Sequence, residues 1–344
     1  MAINQGLSHL SDHFLMVTLV FYFLAVLAFA ADFAFGRRSP AAEPARADVP
    51  ELVTAGAAGG TPVAGGSAAG GGTAGTVGAA TGPARPGLRD ASRWVQAGLT
   101  LTVLGVLAHI AGVVTRGLAV HRVPWGDMYE FIIAVTCVAV LFFLGLMIRY
   151  RPYRLGLFFM APIVIIIGLA QTVIYTPAGP LVPALNSYWL AIHVTAITLA
   201  TGTYVVAAVL AVVYLVADRH SRRVAAGLPV RNGEAFRLLP SPERLDQFAY
   251  RTVVFAFPLW TFGIMAGAIW ADEAWGRYWG WDPTETWAFI TWVVYACFLH
   301  ARVTAGWRGR RAAYIQLAGF GCLLFNLLGV SLFITGLHSY AGLS

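Results

Sequence analysis

The chain has 344 residues, 58% of them hydrophobic and only 11% charged, with a mean hydropathy of +0.69. A soluble domain carries roughly 25% charged residues, so this composition excludes an ordinary soluble protein and reads as a polytopic membrane protein. The formal charge of +7 comes from arginine alone, since no lysine occurs; in a membrane chain such an excess reports topology, and no nucleic-acid partner is implied.

Taken in order, residues 1–38 read as an N-terminal transmembrane anchor. The first residues lack the basic region of a secretory signal, and the apolar run after them stops at Arg37-Arg38. Residues 39–92 are rich in Ala, Gly and Pro, with too few large apolar side chains to offset chain entropy, and are expected to be a disordered cytoplasmic linker. Residues 93–344 form a seven-helix membrane domain. A hydrocarbon core of about 30 Å takes about 20 helical residues, and the long apolar runs are 14–36, 94–118, 128–149, 155–175, 188–217, 252–270, 283–302 and 312–336. The expected fold class is therefore all-α, with about eight transmembrane helices.

Arginines place the loops. Of 23, 20 fall on alternate connections, and the other loops hold only Arg116, Arg122 and Arg277. The positive-inside rule then puts both termini outside, together with everything on the Trp275 side. The multi-pass chain is expected in a cell (plasma or inner) membrane. Cys137, Cys297 and Cys322 lie in apolar runs and read as small buried fillers rather than a disulfide framework. The connection 218–246 is basic and reads as a solvated connector or an amphipathic surface helix, while 176–187, with three prolines, reads as a rigid turn from which Asn186 or Ser187 caps the fifth span.

The external segment 271–287 concentrates Trp275, Trp279, Trp281 and Trp287, an aromatic surface beyond what anchoring a loop requires. Ala274, Trp275, Tyr278 and Trp279 share one face at helical spacing, with Asp272, Glu273 and Arg277 opposite, which predicts a short interfacial helix. Asp282-Pro283-Thr284-Glu285 combines Asp at N-cap, Pro at N1 and Glu at N3, and predicts that the seventh span begins at Pro283. Taken alone, Asp282 and Glu285 are as well explained by capping as by chemistry.

Four histidines sit at or within spans. His193 lies near the start of the fifth and His338 just after the last, both on the tryptophan side. His109 lies in the outer half of the second. His300 lies about 26 Å along the seventh helix from Pro283, near its cytoplasmic end. Each alone reads as a hydrogen-bonded structural histidine, but ionisable residues at membrane depth are costly and commonly functional. A flat apolar ligand with a central metal between two imidazoles fits His193 and His338 beside the tryptophans. Haem is such a ligand, and Arg122 and Arg277 are the external cations available to its propionates.

The spacing Trp275-Gly276, Trp279, Trp281-Asp282 resembles the tryptophan-rich WWD motif of the haem-handling membrane proteins of cytochrome c maturation. The string from Trp275 through Trp287, with Pro124–Glu130, Tyr188-Trp189 leading to His193, and Gly336–Tyr340, is similar to the CcsA/ResC branch, the system II assembly proteins. The likeness covers about 94–344. It implies that His193 and His338 are axial ligands of an external haem b resting on the tryptophan platform. It also implies that His300 shares an inner haem site with a ResB-type membrane partner. Haem would move outward and be attached by thioether bonds to the CxxCH thiols of an apocytochrome c, as in a cytochrome c–haem lyase, with no protein nucleophile. A thioredoxin-like thiol reductant and membrane lipid are the other partners implied. A haem exporter without ligation activity, a b-type electron-transfer protein and a secondary transporter are the alternatives.

Overall fold

Each expected span becomes a helix in the computed structural model, which describes residues 3–35, 91–180, 185, 187–230, 239–334 and 336–338. The helices are α1 (Gln5–Phe35), α2 (Arg93–Val120), α3 (Met128–Tyr150), α4 (Gly156–Thr172), α5 (Tyr188–Ala225), α6 (Pro242–Trp275), α7 (Pro283–Val303) and α8 (Arg310–Leu324). The last continues as a π-helical turn, Phe325–Val330, and a final helical turn, Ser331–Phe333. Among the described residues, eight helices are long and apolar enough to cross a membrane. The expected linker lies outside the described residues except for its last two positions.

Local chemistry sets the helix starts. Ser92 caps α2 by accepting the Val95 N–H, Asp127 caps α3 through the Glu130 N–H, and Ser187 caps α5 through the Trp189 N–H. Asp282 and Glu285 form the full capping box of α7, as their spacing predicts. Two helices outrun the bilayer: α5 has 38 residues and α6 has 34, about 57 and 51 Å at 1.5 Å per residue. The connection read as 218–246 is therefore helical at both ends, from α5 continuing to Ala225 and α6 beginning at Pro242.

One sequence expectation is corrected. No separate interfacial helix covers Trp275–Trp279: α6 itself runs to Trp275, and Gly276, at φ 69°, stops it with its N–H bonded to the Asp272 carbonyl. Residues 276–282 are irregular. The amphipathic spacing was real up to Trp275, but glycine in the left-handed region ends a helix more strongly than a one-turn aromatic face extends it.

Two cores organise the bundle. One gathers Tyr22, Phe143, Phe159, Leu210 and Tyr214 among α1 to α5; the other gathers Tyr204, Trp260, Tyr295 and Phe298 among α5 to α8. Helix α1 is packed along α2 by a shared seven-residue step: Leu15, Tyr22 and Phe29 fill the spaces left by Gly112, Gly105 and Gly98. Small residues allow this close approach where lipid supplies no hydrophobic drive. Polar pairs secure both ends of α1, Asp12 with Arg116 at 3.6 Å and Asp32 with Arg154 at 3.7 Å.

Candidate functional site

The start of α5 lies against the end of α6, and this contact builds the site. Ser187 hydrogen-bonds Glu273 across the two helices at 2.5 Å, and Leu185, Leu190 and Trp270 form a small core beneath. One turn in, His193 turns its Nδ1–H to the Gly263 carbonyl at 2.7 Å. A carbonyl only accepts, so this bond fixes the tautomer and leaves Nε2 with its lone pair. The ring fits because α6 has no side chain at Gly267, where a Cβ would stand 2.6 Å from Nδ1. The buried Trp270 lies parallel to the imidazole, centroids 6.1 Å apart and planes at 9°.

The second histidine arrives from the C-terminal segment. The His338 Nδ1–H donates to Asp282 Oδ2 at 2.8 Å, and the Leu337 N–H donates to Oδ1 at 2.8 Å. The helix cap predicted from sequence is thus also the anchor of His338. Burial pushes the Asp282 carboxyl up, but the bonds from His338, Leu337 and Thr284 outweigh it and hold the group below its ordinary value. Edge-on contacts with Trp275 at 5.1 Å and Trp270 at 6.0 Å complete an aromatic surround for His338.

Both histidines line two adjoining cavities. The smaller, about 60 Å³, is walled by Trp270, Trp275, Tyr278 and Trp279. The larger, about 190 Å³, is bounded by Trp125, Asp127, Leu190, Trp260 and Asn326. Pockets that hold drug-sized ligands span about 300–1,000 Å³, so a larger planar ligand is held partly outside these walls or displaces the tryptophan segment. That segment carries strain: Trp281 sits at φ 59°, a conformation costly for a bulky side chain. Asn326, on the π-helical turn, keeps its buried Oδ1 without a hydrogen-bond partner.

The structure sorts the other predicted residues. Trp275 and Trp279 line the smaller cavity. Gly276 serves as the stop of α6. Trp281 is exposed and meets Trp279 edge-on at 5.7 Å, and Trp287 packs on Phe325 at 4.3 Å; neither lines the cavities. Arg277 lies over Gly280 and stands 3.9 Å from Glu285, which lines the smaller cavity. Arg122 is bound instead to Glu130 at 2.7 Å. Glu130 also accepts from Arg116 at 3.1 Å and the Gly126 N–H at 2.7 Å, tying the loop that carries Trp125 and Asp127 to α2 and α3. Asp127, beside that acid, is pushed up to about 6 by burial and then by Glu130.

His300 is exposed on α7, with Thr304 Oγ1 at 3.4 Å, and lines neither cavity. His109 is fully buried against Tyr22 on α1 and lines neither cavity. Gly263, Gly267, Trp270, Asn326 and Asp127 were not expected at the site. Gly263 and Gly267 did carry a signal, the four-residue spacing of small residues that marks close approach in membrane helices.

Residues 125–338, from Trp125 at the cavity wall to His338, match the family model described as cytochrome C assembly protein. The chain belongs to that family. It acts in cytochrome c maturation. Among curated relatives it is similar to the cytochrome c biogenesis protein CcsA of Guillardia theta, 39% identical over 252 residues, which covers 67% of this chain and 80% of the relative. CcsA of Trieres chinensis is 34% identical over 254 residues, 67% and 81% of the two chains. CcsA of Synechococcus sp. strain CC9311 is 44% identical over 183 residues, 47% and 60% of the two. Among solved structures, a cytochrome c haem lyase, CcmF, overlays with a TM-score of 0.58 at 16% identity, covering 95% of this chain and 47% of that one. At that identity the likeness speaks for the fold.

Proposed function

We propose that this chain carries haem b as its cargo and holds it between His193 and His338 for attachment to an apocytochrome c. The observation that carries the reading is the matched pair of imidazoles. They come from distant parts of the chain to one aromatic-walled site, and each donates its Nδ1–H to a protein acceptor. Such orientation of the second nitrogen is how metal-binding histidines are held. Among the described residues no cluster of three or more His, Cys, Asp or Glu side chains could hold a bare ion. Two imidazoles do suit a metal whose other four ligands come from a macrocycle.

Haem supplies the vinyl carbons to which the apocytochrome CxxCH thiols add. This chain's residues bind and orient. Trp275 and Trp279 offer the apolar face, Trp270 fixes both histidines, and Asp282 and the Gly263 carbonyl hold the ring tautomers. Arg277 is the cation suited to a propionate, and Arg122 acts through Glu130 by holding the loop at the cavity edge. No side chain here serves as a nucleophile; the contribution is proximity and orientation. We further infer a platform on the extracytoplasmic side of the cell membrane. The exposed His300 then faces a ResB-type partner at an inner haem site, and a thioredoxin-like reductant keeps the substrate thiols reduced.

The test is the haem absorption band of the purified full chain, with and without its partner, in His193→Ala and His338→Ala. Both variants are expected to lose or shift the band and to abolish cytochrome c assembly. Two variants with wild-type spectra and wild-type assembly would overturn the site. Thioether formation on an apocytochrome peptide by the purified complex separates ligation from haem export alone.

A further inference from the structure

At the arginine-rich end of the bundle, opposite the histidine site, α5 and α8 enclose a second feature that haem handling does not use. The last turns of α5 carry Asp218, Arg219, Arg222 and Arg223, and the first turn of α8 brings Arg310 and Tyr314 alongside. With Leu215, Val216 and Leu228 they line a cleft of about 470 Å³. Asp218 is the acid of this lining; it meets Arg222 at 2.9 Å and Arg310 at 3.9 Å. Arg223 donates to the Pro229 carbonyl at 3.1 Å. Four guanidinium groups face one carboxylate, so the cleft keeps a surplus of three positive charges.

Its position is informative. Arg219 lies about 46 Å along α5 from Tyr188 at 1.5 Å per residue, and a bilayer with its headgroups is about 40–45 Å thick. The arginines therefore reach headgroup level. Moving from them toward the membrane centre, the lining turns apolar at Leu215 and Val216, with Val216 and Tyr314 exposed on the outer surface of the bundle. Cations above and exposed apolar groups below is the order of an anionic amphiphile. Guanidinium binds phosphate oxygens in a fork, better than it binds a zwitterionic surface as a whole. Basic pockets between helices on the cytoplasmic side suit such headgroups.

We propose that this cleft binds the phosphodiester headgroup of an anionic phospholipid, with Arg219, Arg223 and Arg310 on the phosphate and the acyl chains along Val216 and Tyr314. Asp218 holds Arg222 and Arg310 in place and tunes the charge of the pocket. The site fixes the ends of α5 and α8 to one leaflet, and so sets the depth at which the long α5 presents His193 at its other end.

The experiment uses the full chain in detergent and reads lipid retention by native mass spectrometry after exchange against phosphatidylglycerol or phosphatidylcholine. The variants are Arg219→Gln/Arg223→Gln/Arg310→Gln and the same three positions changed to Lys. The control is Arg93→Gln/Arg149→Gln/Arg151→Gln, which removes equal charge from the same end. A basic residue near an anionic surface is worth about 1 kcal/mol, about fivefold in affinity. The glutamine triple is therefore expected to lose phosphatidylglycerol about 100-fold, the lysine triple to lose part of it with the guanidinium fork, and the control to retain most of it. Equal retention by the glutamine triple and the control would overturn the proposal, as would equal retention of phosphatidylcholine. Displacement of the lipid by millimolar inorganic phosphate would assign the cleft to a free anion instead. Gel-filtration profiles and melting temperatures separate loss of lipid from loss of fold, and the lysine variant keeps the comparison decisive if the glutamine variant is unstable.

Discussion

Replacing Gly267 by alanine tests the site through one atom. The new Cβ would stand 2.6 Å from His193 Nδ1 and 2.7 Å from Cε1, where ordinary contact begins at 3.4 Å. The imidazole must withdraw by about 0.8 Å, which stretches its 2.7 Å bond to the Gly263 carbonyl beyond the 2.7–3.2 Å range of good geometry. Stability moves little. Overpacking costs about 1–3 kcal/mol, and exchanging glycine for alanine inside a helix returns about 1 kcal/mol. Ligand binding moves much more, because losing the partner that orients a metal-binding histidine costs about 10–100-fold in affinity. The assay is haem titration of the purified full chain, read at the Soret band, beside a thermal melt. Gly321→Ala, where a Cβ meets nothing within 4 Å, is the control. Wild-type haem affinity and an unchanged spectrum in Gly267→Ala would falsify the role of the Gly263–His193 bond.

Other substitutions probe the supporting shell. Asp282→Asn keeps an acceptor for the α7 cap and is expected to weaken haem binding about tenfold. Asp282→Ala also loses the cap, about 0.5–2 kcal/mol in a melt; the idea fails if Asn and Ala bind haem like wild type. The Asp282 carboxyl is depressed, so its stabilisation is present above the ordinary carboxylate value of about 4 and is lost as pH falls through the lowered one. Asp127 is the opposite case. Its folded value is raised to about 6, so the folded chain binds the proton more tightly, and stability is lost as pH rises from about 4 through about 6. Asp127→Asn should match the wild-type melting temperature below that window and exceed it above, with Glu130, Arg116 and Arg122 unchanged; a pH-independent difference refutes this. Glu130→Gln leaves Arg116, 2% exposed, without its main countercharge, and is expected to cost about 3–5 kcal/mol. A melting curve like wild type would show that Asp12 and the Thr176 carbonyl suffice.

Span positions were legible because twenty apolar residues in a row have no other stable setting in a membrane chain. The helix starts at Ser187 and Asp282 were legible because caps are local chemistry, decided within four residues. The expected helix at Trp275–Trp279 does not form for a related reason: facial spacing continues past Gly276, but the helical backbone does not. The connection 218–246 is helical at both ends, since charged residues that a solvated loop tolerates are equally tolerated by a helix that leaves the bilayer.

By itself the sequence determined the class, the number of crossings, the tryptophan segment and the histidines on its side. Only the tertiary structure decided how those histidines are held. Gly263 and Gly267 touch His193 from a helix that starts only at Pro242, and Asp282 reaches His338 across a further helix pair. Periodicity reports which face of a helix is apolar, whereas the partner of that face is set by packing among all the helices at once. The same physics turned a capping aspartate into the anchor of the His338 imidazole, since one carboxylate has enough lone pairs to close a helix and orient a ring together.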